Sequence, residues 1–87
     1  MKLSVHIRGE IIAVPCGKGL ETIKWLGEQA LKRFAKLKPT GDALSPTADQ
    51  ILETRKTNGG ALLDSDDQVK DVLDDNDFIT IGEFPYA

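Results

Sequence analysis

An α+β fold, with a mixed sheet of four to five strands packed on one main helix and a short second helical turn, is what the sequence predicts. Three observations carry it. Apolar residues alternate on both sides of a glycine turn in residues 1–16, the period of a half-buried strand. They then recur every three to four residues across 22–37, the period of an amphipathic helix. Beyond residue 48 short alternating runs return, broken by turn residues.

The opening hairpin is placed around Gly9-Glu10, which suits a type II′ turn with glycine at its first central position. That register pairs Arg8 with Ile11, Ile7 with Ile12, His6 with Ala13, Val5 with Val14 and Leu3 with Cys16. Leu3, Val5, Ile7, Ile12, Val14 and Cys16 then share one face. Pro15 has no N–H for a ladder, so the second strand is expected at a sheet edge.

The helix is expected over Thr22 to Leu37, with Ile23, Leu26, Gly27, Ala30, Phe34 and Leu37 as its apolar stripe. Lys24, Glu28, Lys32 and Lys36 form its charged face, Glu28 and Lys32 standing in the favourable i, i+4 order. Trp25 falls off the stripe and is expected to be partly covered. Pro39 and Gly41 end the helix, and "PTGDALSPT" reads as a loop. "DQILETRKT" reads as a strand, "NGG" as a turn and Ala61–Leu63 as a short strand. Val69, Val72 and Leu73 mark a helical turn, and "FITIGEF" a last strand with Ile79 and Ile81 on one face. A hairpin, a long helix and further strands in this order match the ubiquitin-like β-grasp, as a single domain over residues 1–87.

Composition narrows the function. No apolar run approaches the roughly 20 residues of a membrane helix, and "MKLSVHIRGE" lacks the apolar core of a secretory signal. No membrane partner is therefore expected. The single cysteine, Cys16, precludes an internal disulfide and fits a reducing, cytoplasmic setting. A net charge of −3 argues against nucleic acid, whose binding needs a concentrated basic face. That net value conceals a division: residues 1–40 hold eight basic against three acidic residues, and residues 41–87 three basic against eleven acidic. Such a division lets a basic face on one copy meet an acidic face on another.

Candidate chemistry is sparse. His6 and Cys16 are the only imidazole and thiol, but strand alternation sends them to opposite faces of the sheet. A Cys–His dyad needs hydrogen-bond contact, so Cys16 reads as a small buried hydrophobe and His6 as an exposed residue. Asp64 to Asp77 contain seven aspartates, yet an EF-hand loop fails. Counting from Asp64, positions five and six are Gln68 and Val69, and position twelve is Asp75 where a glutamate belongs. "GKG" and "NGG" lack the spacing of phosphate loops. Gly59-Gly60 is internal, against a conjugated ubiquitin-like modifier. No catalytic, cofactor-binding or metal-binding residue is assigned, and the chain is not expected to be an enzyme by itself.

"VHIRGEIIAVPC", then "TIKWLGEQALKRFAKLKP" and "GGALLDSDDQVKDVLDDNDFI", resemble the N-terminal extension of animal-type histidine ammonia-lyases over nearly the whole chain. A more distant likeness is to the N-terminal domain of partitioning-defective polarity scaffolds, through the V-P-C-G start and the L-x-D-x-D-D segment. The lyase resemblance implies a parent enzyme of histidine catabolism that converts L-histidine to urocanate and ammonia. That parent makes a methylidene-imidazolone from Ala-Ser-Gly, a tripeptide absent from this chain, so no cofactor is expected here. The chain is expected to be the appended domain alone, with a regulatory or assembly role and a protein partner, either itself or the catalytic body of the same enzyme. The alternative is a stand-alone module. The scaffold resemblance implies head-to-tail self-association, for which Lys2, Arg8, Lys32, Arg33 and Lys36 are the candidate basic face. Asp64, Asp66, Asp67, Asp71 and Asp74 are the candidate acidic face.

Overall fold

The computed structural model describes residues 1–37 and 51–83, leaving aside the side chains of Ile51, Leu52 and Glu83. The expected loop "PTGDALSPT", the stop at Pro39 and Gly41 and the terminal "FPYA" lie outside those residues. Strand β1 is Lys2–Ile7, β2 Glu10–Pro15, β3 Ile51–Lys56 and β4 Phe78–Glu83; helix α1 is Ile23–Leu37 and α2 is Val69–Val72. The sheet runs β2-β1-β4-β3. β1 pairs antiparallel with β2 and parallel with β4, and β3 pairs antiparallel with β4. One mixed sheet of four strands, one main helix and a second short helix make the expected α+β, ubiquitin-like fold. β2 is an edge strand, as Pro15 requires.

The hairpin corrects the expected register. Ile7 pairs with Glu10, Val5 with Ile12 and Leu3 with Val14, so the turn is Arg8-Gly9 rather than Gly9-Glu10. Both central residues have positive φ, +50° and +82°, as a type I′ turn demands. The slip is two residues, and side chains alternate with a period of two, so every face assignment survives. Leu3, Val5, Ile7, Ile12 and Val14 all enter the core, and Cys16 joins them from just beyond β2.

Helix α1 lays Ile23, Leu26, Gly27, Ala30, Leu31 and Phe34 on that sheet face. Leu37, expected on the stripe, is 61% exposed, and Leu31 takes the buried place instead. Trp25 is half-buried against the core. Thr22 is not helical but caps the helix: its Oγ1 accepts the Trp25 N–H at 3.1 Å. No ion pair joins Glu28 to Lys32. β3 ends at Lys56, and Thr57 belongs to the following turn. The expected strand Ala61–Leu63 is reduced to a single bridge between Leu62 and Arg55. Val69 and Leu73 plug the core below α1, and Ile79 and Ile81 supply its β4 layer.

Candidate functional site

The thiol and the imidazole are separated by the sheet. Cys16 is 4% exposed, and its Sγ lies 3.4 Å from the Val14 carbonyl oxygen. Burial pushes the thiol above its ordinary pKa, with the nearby N-terminal ammonium pulling weakly the other way. A nucleophilic cysteine needs the opposite shift. His6 faces the other side, half-buried rather than exposed, with its ring 5.8 Å from the Phe78 ring at a 48° tilt. Phe78 covers it because Ser4 pairs with Phe78 and His6 with Thr80 in the parallel ladder. Among the described residues no three His, Cys, Asp or Glu side chains cluster as a metal site would require. No described helix is long and apolar enough to cross a membrane.

The charged residues divide by the two ends of α1. At its start, the Ile23 and Lys24 amides donate to the Asp67 and Ser65 carbonyl oxygens at 2.9 and 3.0 Å. Thr22 and Gln68 form a bridge, and the Val69 and Lys70 amides donate to the Glu21 and Gly19 oxygens. These bonds fasten the acidic segment to the N-terminal end of α1, where the helix dipole favours negative charge. Asp64, Asp66, Asp67, Asp71 and Asp74 are all exposed there. Two of them have local work. Asp64 Oδ1 accepts the Asp66 amide at 2.9 Å, and Asp71 Oδ1 accepts from Lys70 Nζ at 3.0 Å. The carboxylates of Asp66, Asp67 and Asp74 have no partner among the described residues.

Lys32, Arg33 and Lys36 are exposed on the C-terminal half of α1. From Lys24 to Lys36 the helix advances about 18 Å at 1.5 Å per residue. Arg8 joins this end, its guanidinium carbon 6.0 Å from the Phe34 ring centroid, a cation–π contact. Lys2 does not. It starts β1, about 20 Å of strand from Arg8, and its amide donates to Asp75 Oδ1 at 2.8 Å. The basic set is therefore four residues at one end, and Lys2 belongs to the acidic end.

The candidate acidic face left out Asp75 and Asp77, whose carboxylates shape the turn into β4. Asp77 Oδ2 accepts the Asp74 amide at 2.8 Å and stands 3.7 Å from Lys56 Nζ. Nothing in their spacing separates them from the surface aspartates beside them. The signal, where there is one, is Asn76 between them, a residue tolerant of the positive φ (+68°) found there.

The family described as the N-terminal region of Par3 and HAL proteins matches residues 1–84. Histidine ammonia-lyase of Bos taurus is 36% identical over 80 residues, which is 92% of this chain and 12% of that protein. The Homo sapiens enzyme is 35% identical over the same shares. The Caenorhabditis elegans enzyme is 40% identical over 82 residues, 94% of this chain and 11% of that protein. The chain thus spans about an eighth of the curated relatives it matches.

Proposed function

This chain belongs to the family of N-terminal domains of Par3 and HAL proteins, and from that membership we propose that it is a non-catalytic assembly domain of a histidine ammonia-lyase, acting in the cytoplasm. The observation that supports assembly is the separation of charge along α1. Arg8, Lys32, Arg33 and Lys36 stand at one end, and Asp64, Asp66, Asp67, Asp71 and Asp74 at the other. Two such ends on one body are complementary between copies, and a head-to-tail contact of this kind can add copies beyond a pair. Exposed ion pairs contribute only about 0–1 kcal/mol each, so several must act together and salt must weaken them. The partner is a second copy or the catalytic body of the same enzyme, with no cofactor held by this domain.

The second reading is a stand-alone head-to-tail module, favoured by the other branch of the matching family, the Par3 proteins. Whether the natural reading frame continues into a long segment containing Ala-Ser-Gly separates the two.

Sedimentation velocity tests the docking. The chain is expected to form oligomers at low salt that dissolve at high salt. Asp66→Lys and Lys32→Glu should each be monomeric alone, and their equimolar mixture should stop at one-to-one pairs. A wild-type chain that stays monomeric at high concentration in low salt overturns self-association.

A further inference from the structure

Thr54 is the one polar residue in the core of the described chain, 7% exposed on the inner face of β3 opposite Ile81. Its hydroxyl makes no hydrogen bond among the described residues. A hydroxyl on a core face needs either a partner or access to water. The Thr54 hydroxyl has the second: it is not sealed in. Thr54 forms the floor of a cleft of about 370 Å³ between the first turns of α1 and the 65–66 loop, a volume in the range of small-molecule sites.

The walls of this cleft carry both signs of charge. Lys24 and Glu28 come from successive turns of α1, and Ser65 and Asp66 from the loop. Among the described residues none of these side chains has a hydrogen bond or ion pair. Ile23 and Gly27 complete the lining. The helix start itself offers no anion site, because the Ile23, Lys24 and Trp25 amides are already bonded.

We propose that this cleft binds a free α-amino acid as its zwitterion, with the carboxylate on Lys24, the ammonium between Glu28 and Asp66, and the Thr54 hydroxyl bonding the ligand from below. One cation alone would repel an amine, and two carboxylates alone would repel an acid; a zwitterion satisfies both signs. This goes beyond the assembly role. Asp66 serves both surfaces, so the decisive variants are placed at Thr54 and Glu28, outside both docking sets.

Isothermal titration of the 87-residue chain tests it with L-histidine as the probe. Histamine, which lacks the carboxylate, and 3-(imidazol-4-yl)propionate, which lacks the ammonium, are the comparators. L-histidine should bind saturably with a millimolar or tighter Kd, and each comparator about tenfold or more weakly. Thr54→Val should leave the Tm no lower while weakening L-histidine about tenfold, and Glu28→Gln should weaken it with the Tm unchanged. No saturable heat with L-histidine, comparators that bind as tightly, or a Thr54→Val chain with unaltered affinity would each overturn the proposal. Salt-dependent sedimentation unchanged in Thr54→Val separates a failure here from a failure of self-association.

Discussion

At Gly19 the backbone sits at φ +74°, and a Cβ there would meet Met1 Sδ at 2.8 Å and Lys70 Cβ at 2.9 Å. Gly17 shares the positive φ but has open space around it. Gly17→Ala should therefore cost only left-handed strain, about 1 kcal/mol, and Gly19→Ala about 2–3 kcal/mol, compared by urea denaturation. Equal losses would mean that the packing around residue 19 has room. The "GKG" string was legible as turn chemistry, but nothing local distinguishes its two glycines, because Lys70 arrives from a distant part of the chain. Cys16 gives a second residue-scale prediction. Its folded pKa is raised by burial, so the native state holds the proton more tightly than the unfolded chain. Its contribution is complete below the ordinary thiol pKa of about 8.5 and is lost as the pH rises through the folded value. Native Cys16 should react with a disulfide reagent at pH 8 at least about tenfold more slowly than in urea, and the urea midpoint should fall above about pH 9. A native thiol that reacts as fast as the unfolded one contradicts its burial.

Among the elements, the hairpin shows how a wrong turn coexists with correct faces. Gly9 fits the first position of a II′ turn or the second of an I′ turn, and the sequence does not choose between them. The I′ turn puts Arg8 at φ +50°, an unfavourable conformation for a non-glycine residue, and the cation–π contact with Phe34 helps to offset it. Leu37 and Leu31 show a similar limit in α1: both lie near the apolar arc, and the sheet beneath decides which is covered. The start of α1 depends on Thr22. Thr22→Ala should cost about 1 kcal/mol of stability by chemical denaturation, since the Trp25 amide loses its acceptor. A loss well under half of that would mean water replaces the cap.

Across the whole molecule, β4 is the strand that joins the two halves, pairing with β1 on one side and β3 on the other. Ile79 sits at that junction with no exposure. Ile79→Ala should cost about 3 kcal/mol, a large fraction of what a domain this size can hold, and its circular-dichroism melt should shift down and broaden. Exposed Ile11, on the opposite sheet face at 56% exposure, should tolerate alanine with little change. Charge is the other whole-molecule property. Its division between the two halves of the chain is visible in the sequence, but its place in space is not. Lys2 counts with the basic half in sequence and lies with the acidic end in the fold.

What the sequence alone determined was the class of each main element and the buried face of the strands. It also told against a Cys16–His6 dyad, because periodicities of 2 and 3.6 are local properties that neither loop length nor a two-residue slip disturbs. The tertiary structure decided the rest: the insertion of β4 between β1 and β3, the docking of the acidic segment on the start of α1, and the placing of Thr54 under an open cleft. Those depend on which distant surfaces bury each other best, a sum over the whole core that no single stretch of residues carries.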